Sequence, residues 1–297
     1  MDILLTLQGL RDPALTAFFG ALTFLGSEDA IFVLLAAIYW CVNRTLGLRL
    51  GLVFLGSQYL NEVLKDLVQE ARPGPPIHPL LADTAPGAAW PSGHAQNTAA
   101  GLGTLAALRR RAWLWVLVVA LVFLIGLSRL YLGVHWPIDV LSGWLIGALL
   151  AGAALGLVAA YPRLDARALA PWVVPAGLLG ILGLVLLHAT DFTTRAGGAA
   201  LGLVAGWWLE RRLVGFEPPA PLGRQVAKVV IGLAVALAIR VLLKPVLDAL
   251  PIPGLPALLR YALLGLWVTW GAPAVFVRLF GRGTPVAAQV QERTDRA

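Results

Sequence analysis

Charge and cysteine are what this sequence has least of. Of its 297 residues only 39 are charged, 23 Lys or Arg against 16 Asp or Glu, or 13%. That is about half the roughly 25% of an ordinary soluble domain. The shortage excludes a disordered chain, which needs high charge and low hydrophobicity. It also argues against a soluble globule, because the polar surface of one could not be covered. One cysteine, Cys41, excludes an intrachain disulfide framework and a cysteine-rich metal site. What is present instead is apolar: 59% hydrophobic side chains, 32 glycines and 11 tryptophans. This is the composition of an integral membrane protein.

A helix needs about 20 mostly apolar residues to cross the hydrocarbon. Such runs lie near residues 27–43, 45–69, 93–108, 112–131, 137–160, 172–190, 197–213, 224–247 and 257–280. The expected fold is therefore all-α, a polytopic transmembrane bundle of about nine spans. The two-residue alternation of a membrane barrel is missing. Small residues such as Gly101 and Gly103 are expected to let helices approach closely. Residues 1–26 read as an amphipathic, interfacial segment broken at Arg11-Asp12-Pro13, with a tenth span over residues 13–25 as the alternative. The start Met1-Asp2 lacks the positive charge of a cleaved signal peptide.

Orientation follows from Lys and Arg in short loops. Arg44 and Arg49, Arg109 to Arg111, Arg163 and Arg167, Arg211, Arg212, Arg224 and Lys228, and Arg278 and Arg282 mark one side. That side is expected to be cytoplasmic, and the loops at 70–92 and 129–137 then face away from the cytoplasm. The net charge of +7 is read as topology and headgroup contact, and no nucleic-acid partner is expected because no aromatic–basic stacking surface is evident. Asn43-Arg44-Thr45 has the form of a glycosylation acceptor but falls on the cytoplasmic side.

Lys65, Arg72 and Arg129 depart from the charge rule by lying on the far side, at or near the ends of hydrophobic helices. Ionisable groups there are functional candidates by default. Lys65 and Arg72 are seven residues apart, about two helical turns on one face, with Pro73 ending the helix. Alone they read most simply as snorkelling cations. The next loop ends in Pro91-Ser92-Gly93-His94 before an Ala-rich helix. Ser92 and Gly93 offer backbone N–H groups at a helix start, a ready anion site, and His94 can move a proton near neutral pH. The plain alternative is a capped helix with an incidental histidine. The third stretch is Ser128-Arg129, His135 and Asp139, with Pro137 suited to a first helical turn. Asp139, one turn on, can accept a proton from one ring nitrogen of His135 and leave the other as a nucleophile. Arg129 adds a planar fork that matches phosphate oxygens. A structural His–Asp pair is the alternative.

Taken in order, Lys65-x6-Arg72-Pro73, Pro91-Ser92-Gly93-His94 and Ser128-Arg129-x5-His135-x3-Asp139 resemble the three-part signature of the type 2 phosphatidic acid phosphatase (PAP2) superfamily, over about residues 27–160. With four further spans the layout is similar to sphingosine-phosphate phosphatases and glucose-6-phosphatase. The resemblance implies a PAP2-like catalytic core at 27–160; the hydrophobic runs that follow read as a four-helix membrane extension at 161–280, and the polar residues 281–297 as a disordered cytoplasmic tail. The resemblance also implies roles. Lys65, Arg72, Ser92, Gly93 and Arg129 would hold phosphoryl oxygens. His135 would become phosphohistidine, Asp139 would orient it, and His94 would protonate the leaving oxygen and then activate water. No metal and no cofactor is required. The vanadium haloperoxidases share the signature, but their soluble frame is at odds with this composition.

The expected activity is hydrolysis of a lipid phosphate or diphosphate: an isoprenyl diphosphate, phosphatidic acid, phosphatidylglycerol phosphate or a sphingoid phosphate. A phosphatase for a soluble sugar phosphate, a phosphotransferase, or a non-catalytic lipid-binding or transport protein are the alternatives. The expected location is the plasma (inner) membrane with the site on the noncytoplasmic side, the partners are membrane lipids, and the C-terminal helices offer a homodimer face. Glu62, Asp66 and Glu70 read as charge balance around Lys65, His78 as a solvated loop residue, and His188 with Asp191 as an interfacial pair. Arg240 and Lys244 read as snorkelling beside Asp248, with a second phosphate contact as the sharper alternative.

Overall fold

A computed structural model describes residues 1–81, 87–161 and 170–281. Among them there is no strand, and the chain is helical throughout. The helices are α1 (Asp2–Gly9), α2 (Pro13–Leu25), α3 (Glu28–Ala37), α4 (Arg44–Val68), α5 (Gly93–Arg109), α6 (Ala112–Tyr131), α7 (Pro137–Ala160), α8 (Val173–Leu187), α9 (Asp191–Leu213), α10 (Leu222–Leu247), α11 (Leu255–Leu266) and α12 (Ala272–Phe280). A π turn at Ile38–Val42 continues α3, and another at Trp267–Gly271 joins α11 to α12. The expected runs at 112–131 and 137–160 coincide with α6 and α7. The expected tail beyond Gly281, and Arg163, Arg167 and Arg282, lie outside the described residues.

By length and composition four helical stretches can cross a membrane: α6, α7, α10 and Leu255–Phe280. Pro13–Leu25 with Glu28–Val42, bent by 53°, makes a fifth if the pair is one span. The count of about nine is not reached on this measure, for reasons visible in the residues. Helix α4 carries Arg44, Arg49, Glu62, Lys65 and Asp66, and α9 carries Asp191, Arg195, Glu210, Arg211 and Arg212. Helices α5 and α8 have only 17 and 15 residues. The long apolar helices present large side chains outward, among them Trp113, Val116, Val119 and Phe123 on α6 and Leu141, Leu145 and Leu149 on α7. Exposed apolar surface of that extent belongs against lipid, and the protein is a membrane protein.

The chain divides into two units, Met1–Phe32 with Gly56–Pro162, and Val33–Leu55 with Arg163–Ala297. The division does not follow chain order, because the first half of α4 groups with the C-terminal helices. In the first unit α2 starts at Asp12, whose Oδ1 accepts from the amides of Ala14 (2.7 Å) and Leu15 (3.0 Å), a strong N-cap followed by proline at the first helical position. Phe19 of α2 stacks on Tyr131 of α6, centroids 4.3 Å apart, within a buried cluster of Phe19, Leu22, Tyr131, Leu132 and Val134. Arg11 ties the same region down by donating to the carbonyls of Tyr131 (3.0 Å from Nη2) and His78. The imidazole of His78 is exposed. The N-terminal segment is thus part of the packed unit.

Helix α7 lies close on α5. A Cβ at Gly143 would stand 2.8 Å from the carbonyl oxygen of Ser92 and 3.0 Å from Ala95 Cβ, so only glycine allows this approach. The close contact falls here and not where the sequence suggested: Gly101 faces open space, and Gly103 meets Ala151 at an ordinary 3.6 Å.

In the second unit Asn43 caps α4, its Oδ1 accepting from the Leu46 amide at 2.8 Å. Buried Lys228 donates to the carbonyls of Trp40 (2.9 Å) and Pro218 (2.6 Å). Arg44 pairs with Glu217 at 2.9 Å and with buried Glu210 at 3.5 Å. Lys244 pairs with Asp248 at 2.6 Å, both exposed, as the snorkelling reading of that helix end implies. Asp191 pairs with Arg195 one turn on.

Candidate active site

The three stretches singled out by spacing all lie in the first unit. Lys65 stands in the last turn of α4. Gln69 then takes a left-handed conformation, φ 55°, and its amide closes onto the Lys65 carbonyl at 2.8 Å, a common way for a helix to stop. Arg72 is consequently not on the helix face shared with Lys65, as the seven-residue spacing suggested; it follows in an irregular segment. The helix ends at Val68, before the restriction imposed by Pro73 comes into play.

Arg72 is brought in by its own hydrogen bonds. Its Nε donates to Gly87 O and Nη2 to Ala88 O, both at 2.9 Å, and Nη1 donates to Val134 O at 2.8 Å. The same Nη1 stands 3.1 Å from His135 Nε2. One guanidinium thereby joins the loop before the Pro91–His94 stretch to the segment carrying His135. A second tie runs along the backbone, the Ser92 amide donating to the carbonyl of Asp139 at 3.0 Å. Trp136 Nε1 adds a third by donating to Ala71 O at 2.9 Å.

His135 and Asp139 are both buried. Asp139 sits in the first turn of α7, and its Oδ2 accepts from the Trp136 amide at 2.8 Å and faces His135 Nδ1 at 3.2 Å. The tautomer follows from the partners. A guanidinium can only donate, so Nε2 must accept and carry the lone pair, and the proton lies on Nδ1 toward the carboxylate. Burial first, and then the nearby charges of Arg129, Arg72 and Lys65, push the His135 ring well below the usual histidine range. The ring is therefore neutral at pH 7, with an unprotonated lone pair on Nε2. The sign for stability follows: as pH falls through the ordinary histidine value near 6.5, the unfolded chain takes up a proton that folded His135 refuses, and stability is lost. Burial lowers Arg72 from its usual value while Asp139 pushes it back up; an arginine stays charged regardless.

Arg129 is completely buried at the end of α6. Its Nη1 donates to the hydroxyl of Thr23 on α2, and the Thr23 backbone also hydrogen-bonds the His94 ring. Lys65, Arg72 and Arg129 all act electrostatically on His94 and on His135. Ser92 is buried, and its Oγ has no hydrogen-bond partner among the described residues. The arrangement is a cationic pocket with a neutral imidazole lone pair in it, a spare hydroxyl and a helix N-terminus at Gly93. Such a pocket favours a multiply charged oxyanion. Among the described residues no group of three or more His, Cys, Asp or Glu side chains is placed to share a metal ion.

Two supports escaped the sequence reading. Thr23 is one hydroxyl in an apolar run, and only its neighbours reveal that it steadies both Arg129 and His94. Thr23→Val keeps the backbone carbonyl and the volume but removes the acceptor. It should lower kcat/KM about tenfold, the cost of about one lost charge-assisted hydrogen bond, while Thr23→Ser restores it; steady-state kinetics of the three proteins checks this. The other support is a buried polar ladder between α4 and α5. Asn61 Nδ2 donates to the carbonyls of Pro91 (3.2 Å) and the Gln96 side chain (2.9 Å), Gln96 Nε2 donates to Ser57 O (2.9 Å), and Ser57 Oγ donates to Asn97 Oδ1 (2.6 Å). It holds the Pro91–Gly93 turn from behind.

Comparison with known proteins gives the same outline. Residues 46–163 match the PAP2 superfamily, and residues 194–284 match the PAP2 superfamily phosphatase, transmembrane extension. The chain is 33% identical over 135 residues to the undecaprenyl-diphosphatase of Sulfolobus acidocaldarius, covering 43% of this chain and 65% of that protein. It is 30% identical over 160 residues to the lipid A 4'-phosphatase of Bacteroides thetaiotaomicron, covering 49% of this chain and 71% of that protein. A longer match, 258 residues at 26% identity, relates it to the sphingosine-1-phosphate phosphatase 1 of Rattus norvegicus, covering 75% of this chain and 58% of that protein. The first and last of these matches thus span less than two thirds of the relatives' own length.

Proposed function

The chain belongs to the PAP2 superfamily, and from that premise we propose that it is an integral-membrane phosphatase acting on a lipid phosphate or diphosphate through a phosphohistidine. The observation that carries this reading is the His135 ring, with Nδ1 on Asp139 and Nε2 beside Arg72. Nε2 attacks phosphorus in line as the bond from phosphorus to the leaving oxygen breaks, and His94 passes to that oxygen the proton that a monoanionic phosphoryl group brings to the ring on binding. Lys65, Arg72 and Arg129 meet the charge on the three equatorial oxygens, where positioning and electrostatics supply most of the acceleration. Ser92 Oγ and the Gly93 amide stand at the helix start to assist, the Ser92 amide being held by the Asp139 carbonyl. Water then attacks phosphorus and gives its proton to His94. The P–N bond breaks, its electron pair returns to Nε2, and inorganic phosphate leaves.

A lipid substrate is supported by the setting of the site at the ends of apolar helices and by the names of the relatives, all phosphatases of lipids or lipid carriers. The basic loops support a plasma-membrane orientation with the site facing away from the cytoplasm. Helices α4, α5 and α9 keep Asn61, Gln96, Asn97 and Glu210 buried; with these polar groups turned inward each serves as a further span, and the C-terminal helices offer a face for a second copy.

The test is phosphate release by the purified chain in detergent from undecaprenyl diphosphate, phosphatidylglycerol phosphate, a sphingoid phosphate and a hexose phosphate. Release from at least one lipid, and a rate changed less than about twofold by EDTA, is expected. Preference for the hexose phosphate would refute the lipid assignment, and a large loss restored by Mg²⁺ would refute the cation-only mechanism.

A further inference from the structure

The second unit holds a buried cation for which the phosphatase chemistry has no use. Arg260, in the second turn of α11, is 7% exposed, and its Nε and Nη1 are buried without a hydrogen-bond partner among the described residues. Asp248 Oδ1 stands 3.9 Å from Nη1, an ion-pair distance too long for a hydrogen bond. The other oxygen of that carboxylate is held by Lys244 Nζ at 2.6 Å. A guanidinium in an apolar helix of a membrane protein is costly and is a site candidate by default, and unmet buried donors call for a specific explanation such as an ion.

A second guanidinium shares an aromatic neighbour with the first. Arg195 and Arg260 both approach one ring, their Cζ atoms 5.9 and 5.6 Å from the centroid of Tyr261. Arg195 also has a buried Nε without a hydrogen-bond partner among the described residues, while its Nη2 is tied to Asp191. The two helices run parallel, because Gly198, Gly202 and Gly206 of α9 meet Leu258, Ala262 and Leu266 of α11 in rising order. Both N-termini therefore lie at this end, and the positive ends of two helix dipoles reinforce each other. Arg195, Lys244 and Arg260 against Asp191 and Asp248 leave these five side chains with one net positive charge.

We propose that Arg260 and Arg195 form an oxyanion site, separate in its residues from the catalytic pocket, that takes a phosphoryl group. A tetrahedral phosphoryl group has oxygens for donors arriving from two guanidinium planes at once, where a carboxylate matches a single fork. The group comes from an anionic phospholipid headgroup or from free inorganic phosphate, and the two sources separate by experiment.

The full chain in detergent is followed by its thermal unfolding midpoint while phosphatidylglycerol, phosphatidylcholine or inorganic phosphate is added. Phosphatidylglycerol is expected to raise the midpoint of the parent, with a half-saturating concentration at least tenfold higher in Arg260→Gln and in Arg195→Gln. Phosphatidylcholine is expected to show no such dependence. The same arginine-dependent shift with inorganic phosphate alone assigns the free ion; a shift with phosphatidylglycerol only assigns the headgroup. Phosphate bound in the catalytic pocket affects all variants alike and cancels in the comparison. Asp248→Asn separates an anion site from a plain Arg260–Asp248 pair, because removing the competing carboxylate should tighten anion binding. Unchanged or weaker binding in Asp248→Asn, or shifts that are equal in the parent and both arginine variants, would overturn the proposal. Should Arg260→Gln fail to fold, Arg195→Gln and Asp248→Asn, both at partly exposed positions, carry the decision.

Discussion

His135→Ala should abolish turnover, by at least about 10⁴-fold in kcat, the scale seen when a covalent nucleophile is removed. The protein should remain folded and membrane-inserted. The ring is buried and held on one side by Asp139 and on the other by Arg72, so its loss costs local contacts but no helix. The measurement is phosphate release by the purified variant, with circular dichroism and unfolding midpoint as the control. A direct readout comes from labelled substrate quenched in base, which preserves a phosphorus–nitrogen bond. Label is expected on the parent and absent from His135→Ala. Activity retained within tenfold, with the fold intact, would remove His135 as nucleophile. Label retained by the variant would transfer that role to another residue, with His94 the first to examine.

Asp139→Asn should lower kcat by about 10³–10⁴-fold, comparable to the loss when the carboxylate of a Ser–His–Asp triad becomes an amide. The reasoning is stereochemical. The carboxylate oxygen Oδ2 accepts both from the Trp136 amide and from the ring. An asparagine oxygen can keep the Trp136 bond, which caps the start of α7, but its NH₂ group would then face Nδ1. The ring would have to move its proton to Nε2, where it meets the Arg72 guanidinium 3.1 Å away, a donor against a donor. The lone pair would leave the pocket, and Arg72 would lose its contact. KM should change far less than kcat, since Lys65, Arg72 and Arg129, the cations proposed to bind the phosphoryl group, remain. A rise in KM with kcat unchanged would contradict the orienting role. Nitrogen-15 chemical shifts of the imidazole report the tautomer directly: protonation at Nδ1 is expected in the parent and at Nε2 in Asp139→Asn.

Spacing alone brought the catalytic candidates to notice because each local constraint was short. Asp139 lies one helical turn beyond His135, Pro137 fits the first turn between them, and Ser92–Gly93 opens α5; each relation spans only a few residues and depends on backbone geometry that the chain carries with it. The placement of Arg72 shows the limit. Counting turns put it on one face with Lys65, but the left-handed Gln69 ends α4 four residues before Pro73, and a left-handed glutamine leaves no signature in the sequence. Arg72 reaches His135 all the same, through carbonyls of residues 87, 88 and 134. Thr23 and Asn61 were invisible for the same reason, since their partners lie 106 and 30 residues away in the chain.

The sequence by itself determined the membrane environment, the all-helical class and the residue types that can hold and attack a phosphoryl group. These follow from composition, hydrophobic run length and short-range spacing, which need no knowledge of what packs on what. Only the tertiary structure decided that the N-terminal helix α2 braces Arg129, that Gly143 and not Gly101 permits a close approach of α7 to α5, and that Arg195 and Arg260 both approach Tyr261. Those outcomes depend on which helix faces which, and such facing is set by the summed packing of residues far apart in the chain.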